Sequence, residues 1–366
     1  MKVSTAKQTQ ILTDLRHEIL SGRWSLFTAL PSENALARRF GVSRMTTMLV
    51  MRDLESQGLV TRVQGRGTFV TRSALSRRVG LIVPGLADSE FYPAVVDAIL
   101  KAAQAMSYEL RIFRVDSEDR DIRAHQALRF ADKLVKEGTS GVIYQPLDST
   151  TDAASLNGRV LSVFSAAHVP VVLLDYDVVQ PPDRSVYDVV GINNPDAGYR
   201  LAWNLISVGA RKIDFLMRPD WAPSIVNRLR GVKTAVANGG RSCRCRVLLA
   251  EPDDVRALRR HLRQGRPDAF VCGNDTHAAI FKQTLEKVGL TVPGDVLLAG
   301  FDDVKLAALL TPPLTTIRNP CAEIGAKAFG VLIARMARPD APSSDVFLPA
   351  PLVVRESTAR IAKKST

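Results

Sequence analysis

The stretch from Leu30 to Val70, LPSENALARRFGVSRMTTMLVMRDLESQGLVTRVQGRGTFV, constrains this chain more than any other. Helix caps, helix stops and a hairpin turn follow one another in it at close spacing. Ser32, after Pro31, stands where an N-cap would and opens a short helix through Phe40. Gly41 breaks that helix, and Ser43 caps the next. On the second helix Thr47, Val50, Met51 and Leu54 fall in one stripe at 3.6-residue spacing, which predicts a core-facing side. Gly58 ends that helix. Val60 and Val63 then alternate with Thr61 and Arg62, and Gln64-Gly65-Arg66-Gly67 turns the chain back into Thr68-Phe69-Val70. The expectation is helix, tight turn, helix and a two-stranded wing.

A second helix with a cation in its first turn has the geometry that fits a DNA major groove. Arg44 stands there, beside Ser43 and Thr46, whose hydroxyls and neighbouring backbone N–H groups suit phosphates. Arg66 occupies a turn flanked by Gly65 and Gly67, where the backbone can approach a minor groove. Met45, Met48 and Leu49 point away from the core stripe. They touch thymine methyl groups or pack on a neighbouring helix, and the sequence leaves both open. Charge supports the nucleic-acid reading. Residues 1–78 hold 13 Lys and Arg against 5 Asp and Glu, so +8 of the chain's +12 sits on about a fifth of its length.

The same stretch resembles the winged helix of the GntR family of bacterial regulators. The resemblance rests on LPSE, the Leu36-Ala37 pair, GVSR-x-T, the L-E-x-x-G-L run and the V-x-G-x-G-T-F-V wing. It implies DNA contacts from Ser32, Asn34, Ser43, Arg44, Thr46, Met48, Gly65, Arg66 and Gly67. Asn34 stands where the family usually has Arg, and Met48 where it usually has a polar recognition residue. Both departures bear on which operator is read, not on whether DNA is bound.

At 366 residues the chain has room for two or three domains, and 46% hydrophobic content is that of a globular protein. Cys243, Cys245, Cys272 and Cys321 do not make a disulfide scaffold. The Cys243-Arg244-Cys245 spacing is wrong for a zinc knuckle. His17, His125, His168, His261 and His277 form no metal-ligand spacing, so neither metal nor cofactor is expected. The amino terminus MKVSTAKQTQ has no apolar core of a secretory signal, and no run approaches the roughly 18 apolar residues of a membrane span. A cytoplasmic protein with no membrane partner is expected. Residues 5–21 predict an amphipathic helix, with Ile11, Leu12, Leu15 and Ile19 on its apolar face. The head spans residues 1–71, and the polar, basic segment 72–78 reads as a linker.

From Val79 short apolar runs alternate with helical patterns. VGLIV, YELRIF, GVIY and VPVVLLD make one series, and KIDFLM, RVLL, DAFVCG and DVLLAGF make a second. Alternation of this length builds doubly wound parallel sheets, and two series imply two lobes with a cleft between them. The expected fold is therefore α/β, a winged helix-turn-helix followed by a two-lobed body. Ligands bind beyond the carboxyl ends of such strands. Asp175, the Asn274-Asp275 pair and the Asp302-Asp303 pair stand there. Arg228 opens the helix written NRLRG, and Phe91 and Tyr92 follow the first strand's loop. Ring faces beside Asp, Asn and Arg suit a polyhydroxylated ligand. The alternative is that strand-end Asp and Asn cap the following helices, which is the preferred reading for Asp275.

Residues 79–360 resemble the effector domain of the LacI/GalR family, similar in fold to periplasmic sugar-binding proteins. The match runs through VGLIVP, VGINNPDAGYRLAWNLISVGARKIDFL, RLRG, DAFVCGNDTHAAI, GDVLLAGFDDV, TPPLTTI and LVVREST, in that order. It implies an N-lobe of about 79–190 plus 320–345, a C-lobe of about 191–319 plus 346–360, and a tail at 361–366. It also implies effector contacts from Phe91, Tyr92, Asp175, Arg228, Asn274, Asp302 and Asn319. Trp221 is added as a stacking candidate, with a loop tryptophan on the lobe surface as its alternative. The two resemblances together imply a homodimeric repressor on a pseudo-palindromic operator, released by a pentose or other monosaccharide. A purine or nucleoside effector, or a corepressor, is the alternative. A solute receptor is disfavoured by the DNA-binding head. An enzyme is disfavoured because the chain has no G-x-S-x-G, no P-loop and no G-x-G-x-x-G after a strand.

Overall fold

The computed structural model describes residues 2–20, 23–24, 28–71, 77–85, 91–115, 119–147, 153–179, 182–218 and 222–359. The head consists of α1 (Lys2–Leu20), α2 (Glu33–Phe40), α3 (Arg44–Ser56) and the antiparallel strands β1 (Val60–Val63) and β2 (Gly67–Val70). The Ser32 hydroxyl accepts from Ala35 N at 3.3 Å, and that of Ser43 accepts from Thr46 N at 3.2 Å, so both caps form as the sequence predicts. Gly41 turns the chain between the helices at φ 62°, a left-handed conformation that costs a side-chain-bearing residue energy. Thr47, Val50, Met51 and Leu54 are buried. Val50, Met51 and Leu54 pack with Ile11, Leu15 and Ile19 of α1, with Leu36, and with Val60 and Val70 of the wing, while the Thr47 hydroxyl donates to the Glu33 carbonyl at 3.0 Å. Ala29 forms an antiparallel bridge to Phe69, so the chain entering α2 lies along the hairpin. The expected linker falls mostly at 72–76, outside the described residues.

The body contains two sheets. The first is built from β3 (Arg78–Pro84), β4 (Glu109–Val115), β5 (Gly141–Tyr144), β6 (Val171–Leu174) and β7 (Asp188–Ile192). Helices α4 (Phe91–Ala105), α5 (Arg120–Lys136) and α6 (Ala153–Ala166) lie between them in the chain. The second half runs α7 (Asn194–Ser207), β8 (Lys212–Met217), α8 (Pro223–Asn238), β9 (Arg244–Leu249), α9 (Val255–Leu262), β10 (Ala269–Cys272), α10 (Asp275–Lys287), β11 (Leu297–Asp302), α11 (Lys305–Leu309) and β12 (Thr315–Arg318). Helix α12 (Cys321–Ala337) and β13 (Asp345–Leu348) return to the first sheet, and β14 (Leu352–Val353) closes the second. The first sheet has the order β4-β3-β5-β6-β7-β13 and the second β9-β8-β10-β11-β12-β14. The two lobes thus wind identically, and every pairing is parallel except β12 with β14. Strands β5, β6 and β10 are buried at every position, because helices cover both faces.

The chain crosses between sheets after Ile192, after Arg318 and after Leu348. Two of these crossings lie two to three residues beyond the expected lobe boundaries, because β7 and β13 complete the first sheet. The predicted strand series omitted β7, which opens on a charged residue. That residue, Asp188, is buried because Arg335 of α12 clamps it through two bonds of 2.7 and 2.9 Å and Ser344 N donates to it at 2.8 Å. The ion pair substitutes for the apolar side chain that the strand pattern requires.

Two glycines set the packing of α7 on α8. A Cβ on Gly231 would stand 1.9 Å from the Pro195 carbonyl oxygen, and one on Gly198 would stand 2.0 Å from that of Arg228. Backbone oxygens in two packed helices cannot move aside as a side chain can. Gly231→Ala is therefore expected to destabilise the body by about 3 kcal/mol, read as a lower midpoint in urea. The α7–α8 contact also holds the backbone of Arg228 beside Gly198, which links this packing to the cleft described next.

Candidate DNA-binding surface and ligand cleft

On the head, Arg44 occupies the first turn of α3 with 71% of its side chain exposed. Its one described ion pair is a long contact of 3.5 Å to Glu33, too weak in water to hold it in place. Glu33 also accepts from Arg62 of β1 at 3.1 Å, and Arg62 reaches Glu55 at 3.5 Å. Arg62 was not singled out in the sequence. It ties the wing to both helices while remaining partly exposed. The Ser43 and Thr46 hydroxyls meet at 2.9 Å beside Arg44. Ser32, Asn34, Gly65, Arg66 and Gly67 are all exposed. Of the three apolar residues, Met45 is 62% exposed, whereas Met48 and Leu49 are half-buried. The packing alternative thus fits Met48 and Leu49 in part, and Met45 alone is freely presented.

In the body, a hydrogen-bonded chain crosses from one sheet to the other at the carboxyl ends of the strands. Asn194, at the start of α7, donates through Nδ2 to Asp175 Oδ1 at 3.3 Å and accepts through Oδ1 from Arg228 Nε at 2.9 Å. Arg228 also donates to the Gly273 carbonyl at 2.7 Å and to Asp302 Oδ1 at 3.2 Å, and its guanidinium lies 4.7 Å from the centroid of the Phe301 ring. Asn319 Nδ2 donates to the same Asp302 oxygen at 2.7 Å. Asp175, Arg228, Asp302 and Asn319 are therefore brought together, with Asn194 as the joint between them. Asp175 and Asp302 stand at φ 67° and 106°, strained conformations that turn each backbone sharply at its strand end. Phe91 and Tyr92 open α4 in the other lobe, half-buried, with rings meeting edge to face at 5.1 Å. Trp221 lies outside the described residues.

The capping alternative holds for one strand-end residue and fails for another. Asn274 is the N-cap of α10, its Oδ1 accepting from His277 N at 2.8 Å, which leaves Nδ2 for other partners. Asp275 was expected to cap that helix and does not. Its buried carboxylate accepts from Thr316 Oγ1 at 2.7 Å and from Val304 N at 3.2 Å, clamping β12 and the loop after β11. The partners are distant in sequence, so no local pattern could reveal them.

Residues missed by sequence reasoning are Asn194 and Gln145. Gln145 directly follows β5, whose neighbour β6 leads into Asp175, and is fully buried. Its Oε1 and the Oδ1 of Asn319 are buried oxygens without a hydrogen-bond partner among the described residues. Buried acceptors left open at the carboxyl ends of one strand in each sheet fit a ligand rich in hydroxyl donors. The available signal for Gln145 was its place after GVIY, the same strand-end rule that selected Asp175.

Electrostatics divide the carboxylates into two groups. Burial raises Asp302, Arg228 counters it, and Asp175 across the cleft raises it again. Burial and then Asp302 push Asp275 well above the usual range. Asp303 goes the other way, since Arg318 and Arg355, each at 2.6 Å, overcome its burial and hold it low. A carboxyl raised in the folded state keeps its proton there longer than in the unfolded chain. Its contribution to stability therefore declines as pH rises from about 3.9 through the folded value. Asp302→Asn removes that decline. As pH rises from about 4, the thermal midpoint is expected to fall less in the variant than in the wild type.

Among the described residues no group of three or more His, Cys, Asp and Glu is arranged to hold a metal ion, and no helix is long and apolar enough to cross a membrane. Comparison with known proteins matches residues 7–70 to the bacterial regulatory proteins of the gntR family and residues 202–358 to the periplasmic binding protein-like domain. The chain is 28% identical to the arabinose metabolism transcriptional repressor of Geobacillus stearothermophilus, over 97% of this chain and 98% of that protein. It is 26% identical to the ribose operon repressor of Haemophilus influenzae, over 77% of this chain and 81% of that protein. Among solved structures, the transcriptional regulator CelR in complex with cellobiose superposes with a TM-score of 0.65 at 21% identity, covering 90% of this chain and all of that one, and shares its fold. The chain thus pairs a match to the gntR-family DNA-binding domain with a match to the periplasmic binding protein-like domain, and over nearly its whole length it is similar to a transcriptional repressor.

Proposed function

We propose that this protein is a repressor of carbohydrate-use genes and that a small sugar bound between its two lobes releases it from its operator. The observation that carries the reading is the pair of buried acceptors without a partner among the described residues, Gln145 Oε1 and Asn319 Oδ1, which stand at the carboxyl ends of strands in the two sheets, as the Asp175–Asn194–Arg228–Asp302 chain does. Sugar hydroxyls donate to these acceptors and to Asp302, accept from Arg228 and from Asn274 Nδ2, and the Phe91–Tyr92 pair offers a ring face. The names of the arabinose and ribose repressors support a pentose. Residues 1–71 act as the head, 72–78 as the linker and 79–360 as the body. Exposed Ile280 on α10 and Leu306 and Leu309 on the adjoining α11 supply an apolar face for pairing two bodies. A dimer of this kind brings two heads to the halves of a pseudo-palindrome in the cytoplasm.

A thermal-shift screen with L-arabinose, D-ribose, D-xylose and adenosine tests the effector class. A sugar at about 100 times its dissociation constant stabilises the body by roughly 2.7 kcal/mol. A shift with adenosine and none with any sugar would overturn the carbohydrate reading.

A further inference from the structure

Helix α12 joins the cleft to the head. It begins at Cys321, two residues after Asn319, where the chain crosses from the second sheet to the first. Its 17 residues span about 25 Å at a rise of about 1.5 Å each. At its far end stands Arg16 of α1, only 7% exposed although it is a head residue. Arg16 Nε donates to the Met336 carbonyl at 3.1 Å, in the last turn of α12. Its Nη1 donates to Gln57 Oε1, and Gln57 is the residue that ends α3. Burial draws the guanidinium down to about 10, and Asp340 acts against that. A buried cation held by the open carbonyl at a helix C-terminus meets both the desolvation requirement and the negative end of the helix dipole.

A head attached through one covalent linker follows no rotation of the body, whereas a second attachment point makes it follow. Arg16 supplies the second point. It grips α3 at the end opposite Arg44, about 20 Å away along the helix axis, so a docked head keeps its DNA-facing end free. Lobe closure must move the crossing at Asn319–Cys321, and α12 is the rigid element that starts there.

We propose that Arg16 is a positioning residue that latches the head to α12, so that α12 passes movement at the cleft to α3. This rests on the ligand-released repressor proposed above. The test compares wild type, Arg16→Gln and Arg16→Lys as full chains. Each binds an operator fragment, enriched from chromosomal DNA by the wild type, with and without L-arabinose or D-ribose. Arg16→Gln is expected to bind operator as the wild type does without sugar, while a release of roughly 5–150-fold shrinks towards onefold. Arg16→Lys restores part of the release, because its ammonium still donates to the Met336 carbonyl. Undiminished release in Arg16→Gln overturns the proposal, and so does an operator affinity reduced equally with and without sugar. Should neither sugar release the wild type, the proposed effector class fails, and hydrogen exchange without sugar or DNA decides the latch. Faster exchange in Arg16→Gln at both the last turn of α12 and the C-terminal turn of α3 supports it, and unchanged exchange there overturns it.

Discussion

Arg228→Ala is expected to give a protein that holds its operator and no longer releases it. Arg228 is 5% exposed at its side chain and serves three partners at once, Asn194, the Gly273 carbonyl and Asp302. Removing it breaks the hydrogen-bonded link between the Asn194–Asp175 pair and the Asp302–Asn319 pair, and it strips a donor that a sugar oxygen requires. Breaking a buried ion pair by deleting one partner costs about 3–5 kcal/mol when the other charge stays buried. Here part of that cost is avoided. Asp302 is already raised by burial, and loss of Arg228 raises it further, which favours its neutral form. The expected result is a lower midpoint for the body, no thermal shift with sugar, and unchanged operator affinity in a gel shift. Normal release of Arg228→Ala protein by sugar would remove the cleft assignment.

The second large effect is expected from Arg44→Ala combined with Arg66→Ala. The two cations stand at the start of α3 and at the exposed tip of the wing, and among the described residues no buried partner restrains either one. A contact to a base edge contributes about 1–3 kcal/mol of affinity and specificity, and loss of a phosphate contact lowers the salt slope by about 1. Together the substitutions are expected to weaken operator binding by about 2–6 kcal/mol, or roughly 30-fold to 20,000-fold. Neither side chain packs in the core of the head, so folding is retained, and circular dichroism should match the wild type. Binding of sugar by the body should also be unchanged. Operator affinity that survives the double substitution would mean that the head presents another face to DNA.

Much of the fold was legible because it rests on local spacing. The stripe of Thr47, Val50, Met51 and Leu54 repeats at the helical period, and Ser32 and Ser43 announce the two helices that they cap. Gly65 and Gly67 mark the wing because the turn there needs positive φ, 73° and 117°. In the body, apolar runs ending in Asp or Asn marked the carboxyl edges of the sheets, which is where Asp175, Asn274 and Asp302 stand. Other features depend on partners far along the chain. Asp188 reads as a break in a strand until Arg335 is seen against it. Asp275 reads as a helix cap, yet its carboxylate holds Thr316. Asn194 sits in a stretch, GINNP, that reads as a helix start, and only the meeting of α7 with α8 turns its side chain towards both Asp175 and Arg228. Arg16 lies on the polar side of an amphipathic helix, and nothing in the spacing of that helix indicates α12.

Coupling of the cleft to the head is read from operator binding in the presence of sugar. Operator affinity of the wild-type chain would be titrated by fluorescence anisotropy against increasing L-arabinose and D-ribose at fixed ionic strength. One of these sugars is expected to lower the affinity by roughly 5–150-fold, a coupling of about 1–3 kcal/mol. The same titration on Asp302→Asn is predicted to be flat. An affinity that rises with sugar, or a sugar that binds the body and leaves operator affinity unchanged, would contradict this expectation.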